Sequence, residues 1–391
     1  MNKFFWNLTS IFCTLFILTF EFQYSIIPEI YLWINPFFES LVQFSGMYLT
    51  GFSVSFDSTI SSDSEGLYVH VFNLVLLSLI LAFLLKIFFK EKEVNLRFYL
   101  LIILAYYLSL QLLIYGFDKV FKAQFFFPEP NTLFTPLKDL SKDILYWSTM
   151  GMSRGYSMFL GGAEILVAVL LWFSKTRLIA SILGVGIMLN VVAVNFGFDI
   201  SVKVYSLFLL MGFLLILSPY FKYLFSVLTL ESDFQKPNTE PDFLGKHESK
   251  KWIIKSFFVL LIIIEGLFPY LKTGNFNDDI FPRPKFHGAY SIGENELGLK
   301  RLFIHRHGYL IFQNEEDEFQ DFQLELDTIN QEIKLVDYRI NEKFTLNYLH
   351  KANTIKGLQG NIFQKSINLK LKKINPSGYA INNTGLSWVA G

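Results

Sequence analysis

The sequence predicts a membrane-embedded bundle of about seven α-helices followed by a small all-β domain, on three observations. The 391 residues are 52% hydrophobic, include 44 Phe and have a mean hydropathy of +0.37, an apolar content typical of integral membrane proteins. Seven apolar runs before residue 277 are comparable in length with the roughly 20 residues that cross a bilayer. Beyond residue 277, apolar and polar residues alternate instead, which is typical of half-buried strands.

The apolar runs occur at residues 4–20, 67–89, 98–117, 155–173, 178–197, 204–218 and 253–271. We interpret the first run as a retained membrane anchor, since no small-residue cleavage site of a signal peptide follows it. The predicted domains are N-terminal transmembrane helices with an outer loop at 1–97, a helical core at 98–220, a cytoplasmic linker at 221–252, a last span at 253–276 and the β domain at 277–391.

Positive charges predict the orientation of the spans, because Lys and Arg concentrate in cytoplasmic connections. Residues 21–66 contain no Lys or Arg, whereas the next connection carries several, and Lys175 and Arg177 mark the turn between the fourth and fifth runs. Alternate crossing then predicts an N-terminus inside and a C-terminal domain outside. We therefore expect a multi-pass protein of the bacterial cytoplasmic (inner) membrane with an extracytoplasmic β domain.

Charge, cysteine and histidine content argue against several function classes. The formal net charge is zero, which argues against nucleic-acid binding through phosphate neutralisation. Cys13 is the single cysteine, so an intrachain disulfide, a CxxC dithiol and a thiolate cluster are excluded. His70 is the one histidine in a spanning run, which argues against haem or copper oxidase chemistry. We interpret His305 and His307 as a solvated pair and predict no metal site, because no third ligand accompanies them.

The tail is predicted to form an antiparallel sandwich or barrel of about 110 residues, a size that supports its own core. Alternating apolar residues mark strands around 322–326, 344–348 and 367–371. Turn signals occur at Gly308, at Gly357 with Gly360, and at Pro376 with Gly378.

Two segments between the spans are predicted to form further helices on the outer side. Within 118–152, Leu137, Leu140, Ile144, Leu145 and Trp147 recur at helical spacing, which favours an amphipathic helix at the membrane interface. Residues 28–48 show a similar pattern.

Polar side chains within the spans fall on defined helix faces. Glu164 lies near the middle of the fourth run, where a carboxyl group is costly and usually faces the interior of a bundle. Helical spacing gives three faces: Tyr107, Gln111, Tyr115 and Asp118; Gly161, Glu164 and Ala168; and Gly186, Asn190, Ala193 and Gly197. Small residues let membrane helices approach closely, so we expect a hydrogen bond between Glu164 and Asn190.

These faces and the charges nearer the outer surface supply the candidate ligand-binding residues: Gln111, Tyr115, Asp118, Lys119, Arg154, Glu164, Asn190, Asn195, Asp199 and Lys203. Lys119 and Lys203 are expected to lie several turns from Glu164, too far for direct pairing without bending or water. Glu164 is then either a neutral acid that joins two helices, or a proton-handling or ligand-contacting group in an outward-open cavity. We favour the second interpretation, because ionisable residues within membranes are usually functional.

Short motifs in the central stretch occur in a particular order. They are Tyr-Gly-Phe-Asp-Lys-Val at 115–120, Leu-Tyr-Trp at 145–147, Gly-Gly-Ala-Glu at 161–164, Lys-Thr-Arg at 175–177 and Leu-Asn-Val-Val at 189–192. With them, residues 98–220 resemble the DoxX-like family of four-helix membrane proteins, especially larger bacterial members with extra helices and an outer tail. The resemblance implies a four-helix core with polar groups around a quinone- or lipid-sized cavity near the outer leaflet. Some relatives, the DoxD-type subunits, are associated with thiosulfate oxidation coupled to quinone reduction.

Three functions are compatible with these features. The leading hypothesis is an accessory or binding protein whose bundle holds a quinone, a lipid or a partner helix and whose β domain binds an envelope protein. The second is an enzyme, either a redox subunit coupled to the quinone pool or a lipid-modifying activity with Lys119 or Lys203 as base. The third, a proton-coupled transporter, would need polar residues that continue to the inner face, and the inner halves of the spans are apolar.

Overall fold

The computed structural model of the chain describes residues 3–51, 54, 62–89, 96–229, 248–362 and 365–375. Its helices are α1 (Lys3–Thr19), α2 (Tyr31–Thr50), α3 (Glu65–Phe88), α4 (Arg97–Val120), α5 (Pro130–Leu133), α6 (Lys142–Met152), α7 (Arg154–Leu171), α8 (Arg177–Gly197), α9 (Lys203–Leu217), α10 (Phe221–Leu228) and α11 (Glu248–Thr273), with 3-10 turns at Leu137–Asp139, Ser218–Tyr220 and Asp278–Ile280. The strands are β1 (Gly288–Ile292), β2 (Leu299–His305), β3 (Tyr309–Asn314), β4 (Phe319–Asp327), β5 (Glu332–Asp337), β6 (Glu342–Lys351), β7 (Thr354–Ile362) and β8 (Lys365–Lys373).

Among the described residues, six helical stretches are long and apolar enough to cross a membrane: Glu65–Phe88, Arg97–Val120, Arg154–Leu171, Arg177–Gly197, Lys203–Leu228 and Lys251–Ile280. Each of these helical stretches corresponds to one of the predicted runs. In two cases the run extends one or two residues beyond the end of the helix. The run at 4–20 also forms an apolar helix, α1, but its 17 residues make it shorter than the others. A helical part with apolar spans is therefore confirmed, and α2 confirms the predicted helix near 28–48.

The chain divides into two compact units. One, the helical unit, comprises Met1–Phe121 and Met158–Asn275, and the other, the barrel unit, comprises Lys122–Ser157 and Phe276–Gly391. The segment that connects α4 to α7 thus belongs with the β domain. Most of the predicted linker, residues 230–247, lies outside the described residues.

Aromatic rings and small residues fill the core of the helical unit. Phe16 of α1 stacks on Phe208 of α9 with ring centroids 4.0 Å apart. Gly184 of α8 lies against the Phe213 ring of α9, and a Cβ at Gly266 of α11 would meet the Phe117 ring of α4 at 3.0 Å. Large apolar side chains on the outward faces of the helices are exposed. In α3, for example, only 22% of the apolar segment is buried. Such faces suit contact with lipid.

The barrel unit contains a closed antiparallel barrel in which each strand pairs with the next and β8 pairs with β1. An eight-stranded barrel has an interior just wide enough for side chains to fill. Inward residues such as Tyr290, Leu310, Phe322 and Tyr348 are at most 1% exposed. The alternation at 322–326, 344–348 and 367–371 is confirmed as β4, β6 and β8.

One predicted turn in this unit is wrong. Gly357 and Gly360 lie inside β7 and do not form a turn; Gly360 has φ +149°, and a Cβ there would meet the Thr345 carbonyl oxygen at 2.9 Å. Gly308 does lie in the β2–β3 turn, with φ +75°, whereas Pro376 and Gly378 lie outside the described residues.

The predicted amphipathic helix begins later than expected. Leu137 belongs to a separate 3-10 turn, Leu140 is extended with ψ 130°, and α6 starts only at Lys142. Ser141 is extended as well and precedes the helix, so the apolar spacing from Leu137 onward spans two elements.

Candidate functional site

The polar side chains of the helical unit lie where α4 and α7 cross. A Cβ at Gly161 would meet the Gly116 carbonyl oxygen at 2.5 Å, so the two backbones touch at this point. The Ser109 hydroxyl donates to the Ala168 carbonyl at 3.0 Å, and Trp172 donates to Ser109 at 2.6 Å. As residue numbers rise along α4, those of their partners on α7 fall, so the two helices run antiparallel.

At this crossing Lys119 and Glu164 form a buried ion pair. Lys119 Nζ lies 2.8 Å from Glu164 Oε2, and the residues are 7% and 4% exposed. Lys119 Nζ also donates to the Tyr115 carbonyl at 3.4 Å and lies 5.4 Å from the centroid of the Tyr115 ring.

The expectation that Lys119 is too far from Glu164 is therefore wrong. Side chains on a helix lean toward its N-terminus. In an antiparallel pair these directions point at each other, so Lys119 and Glu164 converge from either side of the Gly116–Gly161 contact. Along the helix axes the two backbone positions are offset by about 9 Å at 1.5 Å per residue. The two extended side chains can span this distance.

A second carboxylate flanks the pair. Asp118 accepts a hydrogen bond from the Tyr270 hydroxyl of α11. The Tyr270 ring also packs on Phe121, with centroids 4.6 Å apart. Asp118 thus connects α4 to α11, while the adjacent Lys119 connects α4 to α7.

Deeper along the same face of α4, Gln111 is fully buried. Its Nε2 donates to the Tyr24 hydroxyl at 2.9 Å, while its Oε1 is buried without a hydrogen-bond partner. One turn earlier, the Tyr107 and Tyr205 hydroxyls lie 3.0 Å apart, and the Tyr205 ring stacks on Phe20 with centroids 4.3 Å apart. The predicted polar face of α4 is thus confirmed as inward.

The predicted polar face of α8 is wrong. Asn190 is exposed, as are Gly186, Ala193 and Gly197, so Glu164 pairs with Lys119 and not with Asn190. The buried face of α8 consists of Arg177, Ala180, Ser181, Gly184, Met188 and Asn195. Asn195 is 5% exposed, and its Nδ2 is buried without a partner.

The outer charges form a separate group. Lys203 Nζ lies 2.8 Å from Asp199 and 3.8 Å from Asp63. The Asp63 carboxylate accepts from the Lys203 and Val204 amides at 2.8 and 3.0 Å, which caps the N-terminus of α9. Arg154 is exposed in the first turn of α7.

Glu265 of α11 has a structural role. This 2% exposed carboxylate accepts from the backbone amides of residues 25–27, two of them at 2.9 Å. It therefore supplies acceptors for the backbone amides of the loop between α1 and α2.

The barrel unit contains an ionic network that sequence reasoning missed. Glu129 accepts from the Arg306 guanidinium and from His287 Nε2 at 3.0 Å, and Arg306 also lies 2.6 Å from Asp278. Burial alone would raise the pKa of Glu129, but the hydrogen bonds from His287 and Arg306 and the charge of Arg306 lower it to about 2. The only signal in the sequence was Glu129 between two prolines.

His305 faces the same carboxylate. Its Nδ1 accepts from the His307 amide at 3.2 Å, which assigns the ring proton to Nε2, 3.7 Å from Glu129. Burial lowers the pKa of His305 despite the nearby negative charge. In the part of the chain that the structure describes, no group of three His, Cys, Asp or Glu residues could hold a metal ion.

Comparison with known proteins identifies a relative over part of the chain. The uncharacterized protein YwoB of Bacillus subtilis (strain 168) is 32% identical over 111 residues, a stretch that covers 28% of this chain and 70% of YwoB. The chain belongs to the YwoB family. No family model and no solved structure matches this chain. Membership in the YwoB family covers about a quarter of the chain and brings no activity, because the relative is described only as uncharacterized. The resemblance to DoxX-like proteins stays a prediction.

Proposed function

We propose that this protein is a multi-pass membrane protein of the DoxX-like type whose helical unit binds a quinone or lipid head group beside the Lys119–Glu164 pair. In this role it acts as an accessory or binding protein. The observation that carries the proposal is a buried ion pair within membrane-spanning helices, on the same α4 face as a fully buried amide oxygen without a partner.

An ion pair in an apolar environment is weak evidence for stability. Desolvation of both charges offsets much of their attraction, and apolar residues of similar volume often serve as well or better. Charged residues within spans usually mark ligand or ion sites for this reason. The pair of Lys119 and Glu164 is therefore better explained by a ligand than by packing alone.

The surrounding groups suit a flat, polar ring. The Lys119 ammonium can donate to a carbonyl oxygen, and Gln111 Oε1 can accept from a hydroxyl. The rings of Tyr115 and Tyr205 both pack on Phe22 with centroids 6.1 Å apart, which provides aromatic surface along the same side. A quinone and its reduced quinol present these carbonyl, hydroxyl and ring surfaces.

The geometry argues against lysine-catalysed chemistry. A general base must be deprotonated, yet Lys119 donates to Glu164 and Lys203 donates to Asp199. Both amines are thus engaged as hydrogen-bond donors to carboxylates. We therefore prefer the binding role to the enzymatic alternative.

The proposal includes an orientation. Lys175 in the α7–α8 turn, together with Lys86 at the end of α3, indicates the cytoplasmic side. If α1 crosses the membrane as a seventh span, the N-terminus is inside and the β domain is extracytoplasmic. The β domain is then available to an envelope partner.

The test is extraction and mass spectrometry of quinones and lipids that copurify with the full-length protein. We expect stoichiometric retention of one species by the wild type and at least a tenfold loss in Glu164→Gln. Glu39→Gln, which changes an exposed carboxylate of α2, is the matched control and should retain the ligand. Equal retention by both variants, or a wild type without ligand whose thermal stability ignores added quinones and lipids, would reject the proposal.

A further inference from the structure

The barrel unit contains a cavity of about 210 Å³ in which α5, α6 and β2 meet. At roughly 30 Å³ per water in the liquid, this is room for about seven waters or for one six-membered sugar ring with its hydroxyls. Its walls include Phe126, Trp147 and the side chains of Gln124 and Asn131. Most ligand pockets likewise combine aromatic walls with a few polar groups.

Two residues of these walls each carry a buried amide oxygen that has no protein partner. Gln124 Oε1 and Asn131 Oδ1 are both buried without a hydrogen bond. Buried polar atoms are nearly always paired, so each such atom suggests a group that the protein alone does not supply. Both oxygens are acceptors, and they need a ligand that carries hydroxyl or N–H donors.

The cavity also offers donors. Ser148 contributes a hydroxyl, Trp147 contributes an indole N–H, and His305 contributes the Nε2 proton assigned by the His307 contact. The 3.7 Å from His305 Nε2 to Glu129 is too long for a hydrogen bond. The walls therefore present neutral donors and neutral acceptors together.

The charges near the cavity are balanced within the protein. Glu129 lines the cavity, but its carboxylate accepts from Arg306 and His287. Arg306 is neutralised a second time by Asp278. Neither a cation nor an anion would find an unmatched countercharge here, so an uncharged ligand is favoured.

We propose that this cavity binds one neutral pyranose unit, with a ring face on Trp147 and hydroxyls on Gln124, Asn131 and Ser148. A sugar is amphipathic in this manner, since its C–H face packs on an aromatic ring while its edge donates and accepts hydrogen bonds. The inference concerns the barrel unit and is independent of the quinone or lipid proposal for the helical unit.

Specific residues hold α6 closely against residues 125–126, the segments that form part of the cavity wall. A Cβ at Gly151 would collide with the Phe126 carbonyl, and the buried Lys122 donates to the Gly151 carbonyl. The Phe125 ring contacts Trp147 with centroids 5.3 Å apart. These contacts fix α6 against residues 125–126 and hold Trp147 in place without a ligand.

The test uses full-length protein in lipid nanodiscs free of sugar-based detergent. Saturation-transfer NMR would be recorded with methyl α-glucoside and N-acetylglucosamine, and with choline and sulfate as charged probes. We expect saturable binding of at least one sugar, without competition by choline or sulfate. No saturable signal from these soluble sugars or from an alkyl glucoside presented in vesicles, or equal binding of a charged probe, would overturn the proposal.

Variants locate the binding. Asn131→Leu and Gln124→Asn, which withdraws the amide by one methylene, should each weaken sugar binding at least tenfold. Gln323→Leu, an exposed amide on β4, should leave it unchanged. Hydrogen exchange of the β2 amides verifies folding of each variant. Unchanged affinity in Gln124→Asn would contradict the assignment even if Asn131→Leu fails to fold.

A comparison of ligands separates two sources of the sugar. Binding of soluble methyl α-glucoside identifies a free sugar or glycan as sufficient. Binding only of an alkyl glucoside presented in vesicles identifies a glycolipid head group. Either result supports the pyranose site, and the absence of both rejects it.

Discussion

At the scale of single residues, the Lys119–Glu164 pair depends on both partners. Loss of one partner leaves the other as an uncompensated buried charge, which costs about 3–5 kcal/mol. The pair lies next to the point where the backbones of α4 and α7 touch.

We expect Lys119→Met to lower the free energy of unfolding by about 3 kcal/mol or more, because Glu164 is then unpaired. The double variant Lys119→Met/Glu164→Leu should recover most of this loss. The measurement is reversible unfolding in mixed micelles, analysed as a double-mutant cycle. Additive effects of the two single substitutions would show that the side chains do not interact.

Acid should destabilise the barrel unit in two steps. The pKa of His305 lies below its ordinary 6.5, so the unfolded chain binds its proton first and stability falls as the pH drops below that value. The pKa of Glu129 is lowered from 4.5 to about 2, so its contribution is complete above pH 4.5 and is lost as the pH falls toward 2.

Hydrogen exchange of the β2 amides from pH 8 to 2 measures both steps. His305→Gln should remove the upper step, and Glu129→Gln should remove the lower one while destabilising the unit at neutral pH. A Glu129→Gln protein with the wild-type acid profile would assign the lower step to another carboxylate.

Residue-level prediction succeeded where helical spacing decides the outcome and failed where tertiary contacts do. The inward face of α4 with Gln111 follows from the 3.6-residue period. The partner of Glu164 does not, because it depends on how α4 and α7 cross. The burial of Asn190 was also predicted wrongly. A membrane helix is apolar on nearly all sides, so hydropathy does not indicate which of its faces is buried.

At the scale of elements, the contact between Gly116 and Gly161 sets the separation of α4 and α7. Gly161 lies against the Gly116 carbonyl and Lys119 Cβ, whereas the adjacent Gly162 has no atom within 4 Å of an added Cβ. Two neighbouring glycines on one helix thus differ only in what they face.

We expect Gly161→Ala to separate the helices, to lower stability by about 1–3 kcal/mol through overpacking and to weaken the ion pair. Gly162→Ala should be neutral, or stabilising by up to about 1 kcal/mol through helix propensity. Thermal unfolding of both variants in the same detergent compares them. Equal behaviour would mean that the close approach is not required.

Element positions were largely predictable, but not every boundary. Apolar runs gave α3, α4 and α7 to within a few residues, because the length of a span is dictated by the bilayer. The start of α6 was missed because Leu137 and Leu140 belong to a turn that continues the apolar spacing. Gly360 was wrongly predicted to form a turn. In the sequence, a glycine that allows two strands to approach closely cannot be distinguished from a glycine in a turn.

At the scale of the whole molecule, the orientation can be tested by cysteine labelling. Cys13 is the only native cysteine and is fully buried, so it gives little background. Ile329 in the β4–β5 turn is 91% exposed, and Lys175 is exposed in the α7–α8 turn.

We expect Ile329→Cys to react with an impermeant maleimide in intact cells or spheroplasts. Lys175→Cys should react only after permeabilisation. Labelling is read as a mass shift on gels, with the wild type as the control. The reverse pattern would invert the topology, and labelling of both sites in intact cells would show that α8, α9 or α11 does not cross the membrane.

Architecture could be predicted in kind but not in detail. Composition predicted membrane helices, and period-two alternation predicted a β domain, yet closure into a barrel requires the pairing of β1 with β8, which no local pattern specifies. The Glu129 network was beyond prediction for the same reason, because its members are far apart in the chain.

The pairing of β8 with β1 has a consequence for recognition. Among the described strands, β1–β8, each is bonded to a neighbour on both sides, so none of them is an edge strand that could template a further strand. A protein that docks on this barrel by strand addition would have to break it open first. Recognition must instead use side chains and hairpin tips, and the same continuity protects the domain from polymerising edge to edge.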